Sequence, residues 1–466
     1  MSINKFIQPL FDFPTSSIIN EIENKSYTYQ EFYREILRIE YEFENLRIEK
    51  NSIVVIYGYR SSFKALMLFF FCIKNDLIPF IVEQGNLSYI DDLNFNILIT
   101  IESLIFKKER EIKKKKFEFC KVYQNFHKDL YYGSSNNLAI VSSSGSTSKV
   151  TKKILLGKKE TLNNIKSNQK ALSLTDNDTT LVLLPISYSY GLIAQFLSHF
   201  LLGSDIVLTD KTLGIIQIPS LLKKYNITNL FMTPLMSRLF FHYNKKINTI
   251  KNNLNFITII GGDKPNKEGV EKIQNVFQCP IYSTYGLAEA GPRVATKKVN
   301  LNDVLTFELG NPNPGIKINI IENEKYQKLC GTGQVGYLNI ETPSIYLGYI
   351  IGKTLQKPIC KNILKTKDIC VKDNEGIHLL GRDGDYIIKK DRIIWFYEIG
   401  NNFYKNVNIL KVKIKKETQN KLNIMFYHRN QITTNDFSET LLNKYGLTKN
   451  LEYSINLVEF NNSQYK

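Results

Sequence analysis

Seven short runs of Val, Ile, Leu and Phe recur in the first 260 residues: 53–57, 96–101, 139–142, 180–184, 205–209, 229–233 and 256–260. Each is bounded by polar residues or by Gly/Pro signals, as strands are. Helical patterns lie between them. One spans 29–46, with Phe32, Ile36, Ile39 and Phe43 on a single face; others cover 63–74 and 190–202. Strand, loop and helix in alternation predict an α/β fold of stacked, largely parallel sheets with helices. Ligands in such sheets sit at the C-terminal ends of the strands. The loops 142–148, 185–191 and 261–263 all follow predicted strands, so one crevice can take all three.

The first of these loops carries the strongest chemical signal. The run Leu138 to Val141 breaks into Ser142-Ser-Ser-Gly-Ser-Thr-Ser148, with Lys149, Lys152 and Lys153 next. Hydroxyls and backbone N–H groups donate to phosphate oxygens, glycine lets the backbone approach, and lysines neutralise charge. The Gly-x-x-x-x-Gly-Lys-Ser/Thr pattern is absent.

Past residue 310 the pattern shifts to short alternating strands at 316–321, 336–340 and 378–380, which predicts a small antiparallel β subdomain over about 310–383. Residues 384–466 read as a small α+β domain: strands, one helix over 436–445 and a last strand near 453–460. Residues 1–383 form the expected core.

Charge and composition exclude some classes. The net charge is +17, with 107–116 the densest segment. Its lysines alternate with glutamates and few aromatics interleave, so a solvated surface is expected and no nucleic-acid partner. The longest apolar run, 65–73, is too short for a membrane span. Met1-Ser-Ile-Asn-Lys5 lacks a signal-peptide apolar region, so a cytoplasmic location is expected. Six cysteines without Cys-x-x-Cys spacing read as reduced thiols, with neither zinc nor disulfides. Gly-x-Ser-x-Gly is absent and the five histidines are scattered, which argues against a hydrolase.

Ser143-Ser-Gly-Ser-Thr-Ser-Lys-Val-Thr-Lys152 resembles the phosphate loop of the adenylate-forming superfamily. Further resemblances follow in that family's order. They are Lys25-Ser-Tyr-Thr-Tyr-Gln-Glu-Phe32, Pro185-Ile-Ser-Tyr-Ser-Tyr-Gly191, Tyr285-Gly-Leu-Ala-Glu289, and Val335-Gly-Tyr-Leu338 with Pro343-Ser-Ile-Tyr-Leu-Gly-Tyr349. Thr366-Lys-Asp368, Gly381-Arg-Asp-Gly-Asp-Tyr-Ile387 and Glu398-Ile399 complete the series. Each is weak alone; their common order is the strong signal. The resemblance implies an AMP-forming ligase. It would activate a small carboxylic acid with ATP and Mg²⁺ as acyl-AMP, release pyrophosphate, and pass the acyl group on. The acceptors it implies are CoA, a phosphopantetheine thiol of an acyl-carrier protein, or an amine or sugar.

It also implies roles. Ser143, Ser144, Gly145, Ser146, Thr147 and Lys152 would hold the β- and γ-phosphates. Tyr285, with Gly286 behind it, would stack on adenine. Asp368, with Arg382 close by, would take the ribose hydroxyls. Glu289 would ligate Mg²⁺. Tyr188, Tyr190 and Gly262 would line the acid pocket. Thr147, Glu289 and Lys466 would be catalytic, the last through contact with the carboxylate and the α-phosphate.

The departures are informative. Ser148 stands for the loop's second glycine. Ala288 stands for a threonine, and Tyr285-Gly-Leu-Ala-Glu-Ala290 matches the fatty-acyl-AMP ligase version in full. Gly384 stands for the first of two paired aspartates at the family's hinge. Tyr465 stands for the glycine before the catalytic lysine. Amino-acid adenylation domains usually carry an aspartate in the loop aligned with 185–191; none is present here, which disfavours an α-amino acid. Ala288 and the poor lysine pattern leave open a catalytically weak, nucleotide- and acyl-binding relative.

Overall fold

The computed structural model describes residues 4–58, 62–101, 112–117, 120–125, 134–142, 151–209, 211–260, 267–300, 308–322, 329–389, 392–404, 406, 408, 409–418, 421–428, 435–448 and 453–459. The phosphate-loop residues Ser143, Ser144, Gly145, Ser146 and Thr147 lie outside that set, as do Gly262 and Lys466.

Two nine-stranded sheets form the larger, N-terminal part. At the centre of the first, Asp205–Leu208, Thr179–Val182, Asn229–Met232, Phe256–Ile260 and Ile281–Tyr285 run parallel. Antiparallel strands Ala295–Lys298 and Asn311–Pro312 finish one edge. The second sheet is parallel at Ile97–Thr100, Ile53–Tyr57, Ile78–Val82 and Asn137–Ser142, and antiparallel outside them. In the first sheet the order reverses at Thr179–Val182, whose neighbours are Asp205–Leu208 and Asn229–Met232. The loop 185–191 follows that strand, at the switch point where such sheets bind ligands.

One core joins the sheets. Val54, Ile56, Val182, Ile206 and Leu208 meet there, together with helices Tyr29–Phe43 and Ser62–Lys74. The first helix buries a stripe, Phe32, Ile36, Ile39 and Phe43, and starts with a capping box between Thr28 and Glu31. The second is the apolar run itself: Ala65, Leu66, Leu68, Phe69, Phe70, Cys72 and Ile73 are all buried, the pattern of a helix enclosed on every side. Among the described residues no helix is long and apolar enough to cross a membrane. All six cysteines are free, four of them buried.

The predicted helix at 190–202 begins as a π-helix, Tyr190–Leu197, and turns α at Ser198–Phe200. A Cβ on Gly191 would come 2.3 Å from the Pro185 carbonyl oxygen. Ser198 Oγ donates to the Ile193 carbonyl, five residues back, at 2.9 Å. The turn is packed tightly against the strand end and wound wide to fit it. π-Turns of this kind often sit at functional sites.

A four-stranded antiparallel sheet follows: Lys317–Ile321, Val335–Glu341, Ile363–Lys372 and Ile377–Arg382. The C-terminal part is a three-stranded sheet, Ile409–Thr418, Lys421–His428 and Tyr453–Glu459, with the hairpin Tyr386–Lys389 and Arg392–Trp395 before it. It carries two helices, Phe396–Phe403 and Asn435–Tyr445, where the sequence predicts only the second. Gly400, Asn401 and Asn402 obscure the first, because these residues favour turns in isolation. Burial of Ile399 and Phe403 against Phe426 and Phe437 overrides that preference.

Candidate active site

The strand Ile281–Tyr285 organises the site, because its last two side chains point to opposite faces. Tyr285 turns toward the four-stranded sheet. Its hydroxyl donates to Asp368 Oδ2. Asp368 lies opposite Arg382 in the antiparallel ladder, and Arg382 Nε stands 3.4 Å from Asp368 Oδ1. Asp368 is only 6% exposed. Burial pushes its carboxyl above the ordinary value, with Tyr285 and Arg382 pulling the other way. Burial first, and then the neighbouring carboxylate, raises the Tyr285 phenol well above its usual range. Three predicted residues from separate segments thus meet.

Gly286 follows, and a Cβ there would come 1.6 Å from the Pro292 carbonyl oxygen. Only glycine fits. The chain can therefore fold back at once, Val294 N–H donating to the Tyr285 carbonyl at 3.0 Å. Glu289 sits in the middle of this loop, within the 3-10 turn Ala288–Ala290. Asn164 of the helix Lys158–Leu172 pins the loop. Its Nδ2 donates to the Arg293 carbonyl at 2.8 Å and the Ala290 carbonyl at 3.2 Å, and its Oδ1 accepts from Arg293 N–H at 3.1 Å. That helix follows the strand Lys153–Gly157, so the loop bearing Glu289 is anchored to the element just past the phosphate-loop segment.

Lys152 immediately precedes that strand, and its exposed side chain reaches toward Glu289 through Tyr349. The Tyr349 hydroxyl donates to Glu289 Oε1 at 2.7 Å. Glu289 Oε2 has no partner among the described residues. These residues hold no group of three or more His, Cys, Asp or Glu able to ligate a metal. A lone carboxylate with a free oxygen suits Mg²⁺, which takes one or two protein carboxylates and completes its shell with phosphates and water.

On the opposite face of the strand, Thr284 meets Tyr190. The Tyr190 hydroxyl bonds to Thr284 Oγ1 and accepts from Arg293 Nη1. Arg293 is fully buried, and its Nη2 donates to Thr296 Oγ1 at 3.0 Å. Its Nε has no partner. No carboxylate among the described residues pairs with it, and burial lowers the guanidinium from its usual value. Burial raises the Tyr190 phenol, Arg293 and Thr284 opposing. Tyr190 and Tyr188 are both partly buried. Sequence reasoning singled out Tyr188 and Tyr190 and quoted Tyr349 only as part of a motif; it did not mark Thr284, Arg293 or Asn164. A cavity of about 360 Å³ lined by Lys317, Glu341, Thr342 and Asn362 contains none of these groups.

A model of the AMP-binding enzyme family matches residues 99–350, more than half of the chain. The chain belongs to that family. A 2-succinylbenzoate–CoA ligase of Lactococcus lactis is 28% identical over 243 residues, covering 52% of this chain and 49% of the relative. The chain thus spans about half the length of the curated relatives it matches. Over its whole length the fold is that of adenylate-forming enzymes. The o-succinylbenzoate-CoA synthetase of Bacillus subtilis with its acyl-adenylate intermediate superposes with a TM-score of 0.75 at 16% identity, covering 98% of this chain and 94% of that one. The same enzyme with ATP and magnesium ion gives 0.74 at 16%, covering 98% and 95%.

Proposed function

We propose that this chain joins a carboxylic acid to AMP at the expense of ATP and then transfers the acyl group to CoA, a carrier-protein thiol or an amine. The observation that carries this reading is the convergence of Tyr285, Asp368 and Arg382 beside the loop of Glu289 and Lys152. A carboxylate is a poor electrophile because its leaving group would be oxide. Its oxygen attacks the α-phosphorus instead; the bond from that phosphorus to the bridging oxygen breaks, and pyrophosphate departs. Positioning and electrostatics supply most of the catalysis in such a step.

Asp368 accepts from the ribose hydroxyls, and Tyr285 presents its ring to adenine. Lys152 pairs with the outer phosphates, joined by Ser143, Ser144, Gly145, Ser146 and Thr147. Glu289 would hold Mg²⁺, which when bound neutralises phosphate charge. Lys466 is the family's candidate for the cation at the α-phosphate. Tyr188, Tyr190 and Gly262 bound the acid pocket. Residues 384–466 act as the lid to a core of 1–383, pivoting at Gly384, whose φ of +92° is natural only to glycine. Like the relatives named as CoA ligases, the chain would take an acid without an α-ammonium group, since the loop 185–191 holds no carboxylate.

The second reading is a binding relative with little turnover, favoured by Ala288, which puts a methyl where the family pattern has a hydroxyl. Pyrophosphate exchange into ATP with a panel of aliphatic, aromatic and keto acids decides between the two. Acid-dependent exchange supports the ligase. Tight nucleotide binding with no exchange by any acid, and no adenylate co-purifying by mass, supports the binder.

A further inference from the structure

Tyr349 lies between the two oppositely charged groups assigned to the phosphates. The strand Gly348–Ile351 pairs antiparallel with Lys153–Gly157, Tyr349 facing Ile154, and this register brings its side chain beside Lys152. The hydroxyl donates to Glu289 Oε1 at 2.7 Å and accepts from Lys152 Nζ in a long contact of 3.4 Å. The ammonium lies 4.5 Å from the ring centre, a cation–π distance. The same segment grips Glu289 by its backbone, Tyr346 N–H donating to the Glu289 carbonyl at 3.0 Å. The Tyr346 ring packs 4.7 Å from that of Tyr349.

We propose that Tyr349 is a positioning residue: it holds Lys152 away from Glu289 and fixes the carboxylate so that Oε2 is left for the metal on the ATP phosphates. The proposal rests on the ATP-site reading above. An ammonium and a carboxylate brought this close at a protein surface attract each other. A direct Lys152–Glu289 pair would withdraw the carboxylate from a divalent cation and the lysine from the phosphates. A neutral phenol separates them because it donates to one and accepts from the other at the same atom. Phenylalanine fills the same space without doing either.

Two pairs of chains test this, with Mg²⁺ titrated at fixed ATP and nucleotide binding read by calorimetry. The first pair is the parent and Tyr349→Phe. The second is Lys152→Met and the double variant Lys152→Met/Tyr349→Phe. In the first pair, loss of the hydroxyl should raise the Mg²⁺ concentration for half-maximal ATP binding about fivefold to tenfold. In the second, with no ammonium left to invade, the same substitution should move it less than twofold. Thermal unfolding of all four chains tracks packing. A shift below twofold in the first pair overturns the proposal. So does an equal shift in both pairs, which would mark Tyr349 as merely structural. A parent that binds no ATP at any Mg²⁺ concentration overturns this proposal and the ATP-site reading together. Normal parental binding with an unmoved Tyr349→Phe overturns this one alone.

Discussion

The two faces of one short strand carry two differently built clusters. On the Tyr285 side the buried carboxylate of Asp368 has a cation, Arg382, at 3.4 Å and a phenol donor besides. On the Thr284 side the buried cation Arg293 has, among the described residues, only neutral oxygens from Tyr190 and Thr296. The first cluster resembles a preset receptor for ribose hydroxyls, which are neutral donors. The second leaves positive charge behind Tyr190, the residue proposed to bound the acid pocket. Charge placement therefore follows the ligand expected on each side: a neutral sugar beside a carboxylate, and an anionic acid toward a guanidinium.

The largest effect that would break this comparison lies at the point joining the two sides. Glu289→Gln should slow acid-dependent pyrophosphate exchange by about a hundredfold or more, since it removes one charge aimed at the reacting phosphates. The far-ultraviolet circular dichroism should not change. An exchange rate near the parent's removes Glu289 from the site.

Next in size is the sugar side. Asp368→Ala should weaken ATP binding by about 1.5–3 kcal/mol, the usual loss for a charged hydrogen-bond partner. The Michaelis constant for the acid should stay put. Tyr190→Phe should do the reverse, raising the constant for the acid roughly tenfold, about the worth of one hydrogen bond. If either substitution moved both constants together, the division of the strand into two sides would fail.

A smaller effect sharpens the electrostatic contrast. Burial raises the Asp368 pKa in the folded chain above its unfolded value. The unfolded chain then loses this proton first as pH rises. The penalty is absent below the ordinary carboxylate range and grows above it. The parent should thus lose thermal stability relative to Asp368→Asn as pH goes from about 4 toward 7. An opposite trend in melting temperature would mean that Arg382 dominates over burial.

The smallest effect concerns the seat of the C-terminal part. Arg238 Nε donates to the Leu410 carbonyl at 2.8 Å, and its guanidinium lies 3.9 Å from the centre of the Tyr404 ring. Arg238→Ala should change the rates of adenylation and acyl transfer by unequal factors of a few-fold, read by exchange and by thioester formation separately. Equal factors would argue against a pivoting lid.

Much of the scaffold was legible because it is written locally. Runs such as 53–57 and 256–260 are strands in any sheet, and the stripe Phe32–Ile36–Ile39–Phe43 is helical by spacing alone. The ordered motifs marked Tyr285, Glu289, Asp368 and Arg382 before any contact was known. The supports were not legible, because they depend on distant pairing. Asn164 reaches the loop 129 residues away, and Arg293 reaches Tyr190 across 103. No strand is predicted at Lys153-Ile-Leu-Leu-Gly157, yet its pairing with Gly348–Ile351 places Tyr349. Such positions become functional only through register, and register between strands nearly two hundred residues apart leaves no periodic trace.

The central claim is that segments distant in the chain, meeting at Tyr285, Glu289, Asp368 and Lys152, build a single nucleotide site. Calorimetric titration of the parent with ATP in the presence of Mg²⁺ tests it most directly, repeated with Asp368→Ala and with Lys152→Met. The account predicts saturable binding at one site per chain, weakened by either substitution with the fold intact. Absence of saturable binding in the parent, or binding that neither substitution changes, would contradict it.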